Sequence, residues 1–298
     1  MANVGAMKSY GVDGNIAFNK RFGEVNLTLR ANLTYQNTEV LDMDEAANEL
    51  WYRMSRGFRQ GQTRGFIALG LFKDQADIDQ SPSQDNLANF PILPGDIKYK
   101  DVNGDGVITE DDIVPIGYKN TPGIMYGFGL SASWRGWGLN MLFQGAGKRD
   151  FFVGGNGPHA FHDGATGNIL QRMVVEDRWI PAEISGTTDT EDPNALWPRL
   201  TYTNNNNNNR QSTFWLKNGR YLRFKNLTIG YTLPVLKKYF SKLRVYVSGE
   251  NLCYWSPLKK YCKLIDPELA ISSGTYKGGT GTGYTMPRTF SFGVDITF

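Results

Sequence analysis

The sequence predicts an all-β chain: about seven antiparallel strands of the carboxy-terminal part of a large transmembrane β-barrel, joined by long extracellular loops. Three observations predict it. Segments along the 298 residues alternate apolar with polar or small residues, the period-two signature of strands with one apolar and one wet face. The connections between those segments run short, long, short, long, short, long. Finally, the wet faces carry sets such as Asn26, Arg30 and Asn32, or Gly127, Gly129, Ser131 and Ser133. Such faces fit a lumen better than the interior of a soluble sandwich.

Taken in order, 11–20 place Val12, Ile16 and Phe18 on one face, and 21–24 make a short turn. The cleanest strand is 25–35, in which Val25, Leu27, Leu29, Ala31, Leu33 and Tyr35 alternate with Asn26, Thr28, Arg30, Asn32 and Thr34. A long connection, 36–124, follows. It holds an expected short helix over 45–56 with Leu50, Trp51 and Met54 as its apolar side, and the apolar patch 65–72. Connections of this length are uncommon and usually functional. Strands over 125–134 and 137–145 are joined by the two residues Arg135 and Gly136, a tight hairpin.

The second long connection, 146–218, contains His159, His162 and six consecutive asparagines, Asn204–Asn209, expected to be solvated low-complexity loop. In 220–233 the residues before Asn226 are out of phase with Leu227, Ile229, Tyr231 and Leu233, which predicts a bulge near Lys225–Asn226. After the short connection 234–241, the strand 242–253 puts Leu243, Val245 and Val247 on one face. A third long connection, 254–286, leads to the terminal alternation Phe290, Phe292, Val294, Ile296, Phe298. A closing amphipathic strand ending on an aromatic residue is similar to the last strand of bacterial outer-membrane barrels. With that end inside, all three short turns fall on the periplasmic side and all three long loops outside, the asymmetry of such barrels. Seven strands do not close a barrel, and lipid does not tolerate an open edge, so the chain is expected to be part of a larger one.

Composition agrees. The chain is 40% hydrophobic with a mean hydropathy of −0.41, and no apolar run is long enough for a spanning helix. Barrel strands escape such averages. The net charge of +3 and the lack of a basic stripe interleaved with aromatics argue against a nucleic-acid partner. Cys253 and Cys262 match no zinc or redox spacing; a disulfide and two free thiols both remain open. The amino terminus has no signal-peptide pattern, which for an outer-membrane strand set implies a start lying further upstream.

One constellation carries chemistry. Asp101–Asp112, DVNGDGVITEDD, places oxygen donors where calcium loops need them: Asp101, Asn103 and Asp105 at positions one, three and five, and Gly106 at the sharp turn. Val107 would offer its carbonyl, Thr109 a hydroxyl or a water, and Asp112 a carboxylate, while Ile108 takes the place of an apolar anchor. The cofactor expected is a structural calcium ion. Asp rather than Glu at position twelve departs from the EF-hand form. His159 and His162 read as ordinary surface residues. No nucleophile triad, P-loop or dinucleotide fingerprint is present, so no enzyme activity is expected.

Several longer stretches resemble the SusC/RagA family of TonB-linked outer-membrane transporters of Bacteroidota: 94–109 (PGDIKYKDVNGDGVIT), 127–147, RWIP and WPRL, 218–234 (NGRYLRFKNLTIGYTLP), 243–252 and IDPE at 265–268. The resemblance implies that residues 1–298 are part of a 22-stranded barrel domain lacking its amino-terminal plug and first strands. It implies residence in the outer membrane, a SusD-like surface lipoprotein as partner, and coupling to the TonB complex through the missing region. The implied cargo is oligosaccharide, as in glycan uptake, or peptide. The alternative is a secreted, calcium-stabilised β-sandwich that binds carbohydrate, with a core between two sheets. Trp51, Tyr52, Trp197, Phe214 and Trp215 could stack on sugars or pack the loops together; packing is the expectation.

Overall fold

The computed structural model describes residues 5–46, 48–155, 158–161, 167, 169–175, 177–234, 241–261, 265–269 and 285–298. His162, Cys262 and most of the 234–241 and 254–286 connections lie outside them. Seven strands form one antiparallel sheet in chain order: β1 (Ala6–Phe22), β2 (Val25–Asp42), β3 (Ile124–Trp134), β4 (Trp137–Gly147), β5 (Tyr221–Leu233), β6 (Lys242–Trp255) and β7 (Thr289–Thr297). A sandwich would have divided them between two stacked sheets; they share one.

The register shows why the alternation was so clean. One row across the seven strands reads Asn19, Thr28, Ser131, Asn140, Thr228, Ser248, Ser291. The row beside it reads Phe18, Leu29, Leu130, Met141, Leu227, Gly249, Phe290. Neighbouring rows point to opposite faces, so one face is polar and the other apolar. The apolar face is open to its surroundings, with Ile16, Leu33, Val247 and Phe292 all exposed. Leu27, Leu139 and Val294 stand on that same face by register.

On the polar face, side chains bridge strands directly: Thr34 Oγ1 donates to Asp13 Oδ1 (2.6 Å) and Thr28 Oγ1 to Asn19 Oδ1 (2.7 Å). The bulge expected near Lys225 is present. Both ladders of β5 jump from Phe224 to Asn226, against β4 and against β6. The outward phase therefore changes from Phe224 to Leu227, and Phe224 stacks on Phe143 (4.5 Å), which stacks in turn on Phe128 (5.0 Å).

β1 and β2 run further than the alternation reaches, to Ala6 and Asp42. The expected helix over 45–56 is not formed. Only a 3₁₀ turn, Trp51–Arg53, is present, with Tyr52 buried and Trp51 69% exposed. The Glu45 carboxylate accepts from Ser55 N and Arg56 N. Those contacts fold the segment back on itself and hold the Glu45 carboxyl below its usual range. No helix among the described residues is long and apolar enough to cross a membrane.

Candidate functional site

The three long connections leave the sheet at one end, and the first two build a body with its own core. Phe66, Leu71, Leu87, Ile97, Tyr99 and Ile108 from the first pack with Met173, Trp179, Ala195, Trp197 and Trp215 from the second. Backbone joins them too: Phe66 N donates to Gln211 O (2.9 Å), Thr213 N to Phe66 O (2.9 Å) and Arg199 N to Gly95 O (3.0 Å). Gly95 has φ +86, and any Cβ there would sit 2.3 Å from the Trp179 ring. Only glycine permits that approach. The third connection joins through Leu258 and Ile265, buried against Phe151 and Val153.

At the centre of this platform lies the asparagine run, which the sequence led us to expect in solvent. Asn205, Asn207 and Asn208 are buried, and their amides have partners. Asn208 Oδ1 accepts from Ile97 N (2.9 Å) while its Nδ2 donates to Asp96 Oδ1 (2.7 Å). Asn207 Nδ2 donates to Ile97 O (3.0 Å) and its Oδ1 accepts from Gln84 Nε2 (2.8 Å). Tyr99 Oη donates to Asn207 O (2.6 Å) and Trp215 Nε1 to Asn208 O (2.6 Å). Burial drives the Tyr99 hydroxyl well above the ordinary tyrosine range, so it stays a donor.

Asp96 is the hub. Its side chain is 1% exposed, Arg199 Nη2 donates to Oδ2 (3.0 Å), and Arg199 Nε lies 2.7 Å from Oδ1. Asparagine suits this position because each amide offers donors and an acceptor together, so one run can satisfy both a carboxylate and backbone groups where water is excluded.

A second polar cluster pins the third connection to the sheet. Arg223 on β5, almost fully buried, pairs with Asp266 and lies 2.7 Å from Glu268, which also takes Lys225 (2.7 Å). Arg149 Nη1 donates to Pro267 O (2.7 Å). The IDPE segment is thus held by two of the charges that the bulge places on one face.

The loop predicted to hold calcium is an exposed turn stitched by its own side chains. Asp101 accepts from Gly104 N (2.6 Å) and Gly106 N (2.8 Å), Asn103 Oδ1 from Asp105 N (3.1 Å), and Asp105 Oδ1 from Val107 N (2.9 Å). Gly104 and Gly106 have φ of +78 and +83. Ile108 is fully buried, as an anchor should be. Asp112 is buried and accepts from Val102 N (2.7 Å) and Thr109 N (2.8 Å), while the Thr109 hydroxyl caps a 3₁₀ turn, Glu110–Asp112. Among the described residues no three His, Cys, Asp or Glu side chains are grouped closely enough to hold a metal.

No family model matches the chain. It is 27% identical over 317 residues to TonB-dependent receptor P26 of Formosa agariphila, covering all of this chain and 30% of the relative. To TonB-dependent receptor P3 of the same organism it is 24% identical over 268 residues, 87% of this chain and 24% of the relative. The structure of the RagAB peptide transporter matches 99% of the chain with a TM-score of 0.66 at 19% identity, covering 29% of that chain. The RagAB peptide importer in its open-open state gives 0.65 at 20% identity, with the same coverage of each chain. Over its whole length the chain is similar to a segment of TonB-dependent receptors. The fold is that of a stretch of TonB-dependent barrel wall, and the chain spans less than a third of the relatives' length.

Within this receptor-like segment the aromatic residues pack rather than present themselves. Trp197, Trp215 and Tyr52 are buried, and His159, expected at the surface, is buried edge-on to Trp215 with ring centroids 4.6 Å apart. The cavity lined by His159, Met173, Trp197, Asn205, Asn208 and Trp215 measures about 20 Å³. That admits a water molecule but no sugar ring. Trp51 alone of the five aromatic candidates stands largely free, stacked on Phe58.

Proposed function

We propose that the chain supplies part of the barrel wall and the outward-facing platform of an outer-membrane importer for oligosaccharides or peptides. In this reading the apolar face meets lipid and the polar face meets the lumen. The importer draws on the TonB complex through regions beyond this chain, and a SusD-like lipoprotein docks on the platform. The observation that carries the reading is the asymmetry of the sheet: three short connections at one end, and at the other three long ones whose described residues pack into one body. Residues 1–298 then belong to a single barrel domain, and none is assigned a catalytic role.

The test is uptake by cells carrying the full-length gene, its deletion, or a version lacking the second long connection, each with and without a protonophore. Loss of labelled oligosaccharide or peptide uptake on deletion, and on uncoupling, is expected. Uptake that survives the deletion would refute import by this protein. Co-purification of a surface lipoprotein with the intact receptor, lost when the platform is removed, tests the partner.

The same reading gives Asp101–Asp112 a structural calcium ion, with Asp101, Asn103, Asp105, the Val107 carbonyl, Thr109 and Asp112 as donors. The supporting observation is the turn itself: two glycines in the left-handed region and Asp101 gripping Gly106 N. Outside a cell even a site with Kd of about 10⁻⁴–10⁻³ M is filled. Asp105→Ala is expected to raise protease cleavage of residues 36–124 in calcium to the level seen with chelator. Equal cleavage of the unaltered receptor in calcium and in chelator would remove calcium from the account.

A further inference from the structure

The apolar face of the sheet carries few charges. Among its outward-facing paired residues only Lys8 and Lys20 are cationic. Lys20 stands alone near the short turns, opposite Leu27. Lys8 stands at the platform end, and there two further cations join it. Arg59, from the first long connection, bridges to Glu39 and so extends the row Lys8–Glu39 by one position; Gln60 N donating to Thr38 O (2.9 Å) holds it there. Lys148, just past the end of β4, has φ +49 and carries its ammonium to 4.6 Å from the Tyr35 ring centroid.

Each of the three is braced on a tyrosine, for Lys8 lies over Tyr10 (5.9 Å) and Arg59 over Tyr118 (4.7 Å). Between these rows Asn37 Nδ2 donates to Tyr10 Oη (2.9 Å). The carboxylates of this corner are Glu39 and, opposite Ala6 in the next row of the face, Asp42. Among the described residues none of the three cations is ion-paired. Toward the short turns the same face is apolar and exposed, with Val12, Ile16 and Phe18 on β1 and Leu29 and Leu33 on β2.

Tyrosine rings favour the border between hydrocarbon and water. A ring face attracts a cation without neutralising it, and the stems of Lys and Arg lie along apolar surface with their heads beyond it. Three cations against two carboxylates leave the corner positive where the apolar band ends. Its complement is an anionic head on apolar chains. We propose that this corner binds an anionic, phosphate-bearing membrane lipid, its phosphate between Lys8, Arg59 and Lys148 and its acyl chains over Val12, Ile16 and Leu33. The site rests on the reading that the apolar face meets lipid.

The experiment places the full-length receptor in nanodiscs of equal phosphatidylglycerol and phosphatidylcholine and identifies the lipids that stay bound by native mass spectrometry. The unaltered receptor is expected to keep phosphatidylglycerol about tenfold over phosphatidylcholine, through the attraction of basic residues for anionic headgroups. The triple variant Lys8→Gln, Arg59→Gln, Lys148→Gln is expected to hold the two lipids equally, whereas Lys20→Gln should stay within about twofold of the unaltered ratio. Lys148→Gln alone, at an exposed position, is expected to remove part of the excess and serves if the triple variant does not insert. Equal retention of the two lipids by the unaltered receptor, or equal loss in Lys20→Gln and the triple variant, overturns the proposal. A receptor that inserts yet shows no excess sinks this site alone; one that stays monodisperse in plain buffer sinks the membrane reading with it.

Discussion

Asn208→Ala removes the most connected amide of the platform while leaving the backbone in place. The Ile97 N–H, in a fully buried residue, loses its acceptor, and the Asp96 carboxylate loses a 2.7 Å donor. An orphaned buried donor costs about 1–3 kcal/mol, and a hydrogen bond to a charged group about 1.5–3 kcal/mol. With partial relaxation the sum is about 3–5 kcal/mol, so the open population of the platform should rise about a hundredfold or more, at tenfold per 1.4 kcal/mol. Hydrogen exchange of the Ile97–Tyr99 amides in the full-length receptor reads this directly. Asn206→Ala is the control: its side chain is exposed and only accepts from Asn204 Nδ2, so it should cost less than about 0.5 kcal/mol. The sheet amides of β3 and β4 should not change in either variant. Equal exchange in Asn208→Ala and Asn206→Ala would show that the run is solvated and that its amides do not hold the platform together.

Arg223→Ala strands Asp266 and Glu268 without their buried partner, an expected cost of about 3–5 kcal/mol; new protease cleavage between residues 261 and 287 is the measurement. Asp77 is held below its ordinary 3.8 first by the hydrogen bond from Lys98. The pair therefore stabilises the platform fully above pH 3.8 and loses its effect as pH falls through the lower folded value. Asp77→Asn should remove that part of the acid dependence in a denaturation series. The chain expressed by itself bares the edges of β1 and β7 and a continuous apolar face, so it should require detergent; a monodisperse monomer in plain buffer would contradict the membrane-facing assignment.

The sheet was legible in the sequence because each strand carries its two faces locally: Leu27 and Leu29 against Asn26 and Thr28 need no knowledge of their neighbours. The signal stops where β2 continues past Tyr35 through Gln36, Asn37, Thr38 and Glu39. There neither face is apolar, although pairing with β1 goes on. The platform was opaque for the converse reason. Asparagine is polar wherever it occurs, and what buries Asn205, Asn207 and Asn208 is a complement more than a hundred residues earlier: Gln84, Asp96 and Ile97. The flanking tryptophans, Trp197 and Trp215, were the one local hint that the run lies inside a core. His159 follows the same logic, since nothing in its own stretch announces Trp215.

The extra residue in β5 acts as a phase shift in a binary code. Strands on either side keep strict parity from turn to platform, whereas β5 changes parity once, between Phe224 and Asn226. That single step lets Arg223 point toward Asp266 while Phe224 joins the ring stack with Phe143. Removing one residue here would therefore behave like a frameshift in space. Everything on the turn side of Lys225 would keep its meaning, and everything beyond would be read inverted, sending a guanidinium to the apolar face and a phenyl ring to the polar one. The length of this strand is thus fixed to a single residue, whereas the long connections above it are free to vary in length wherever they do not enter the platform core.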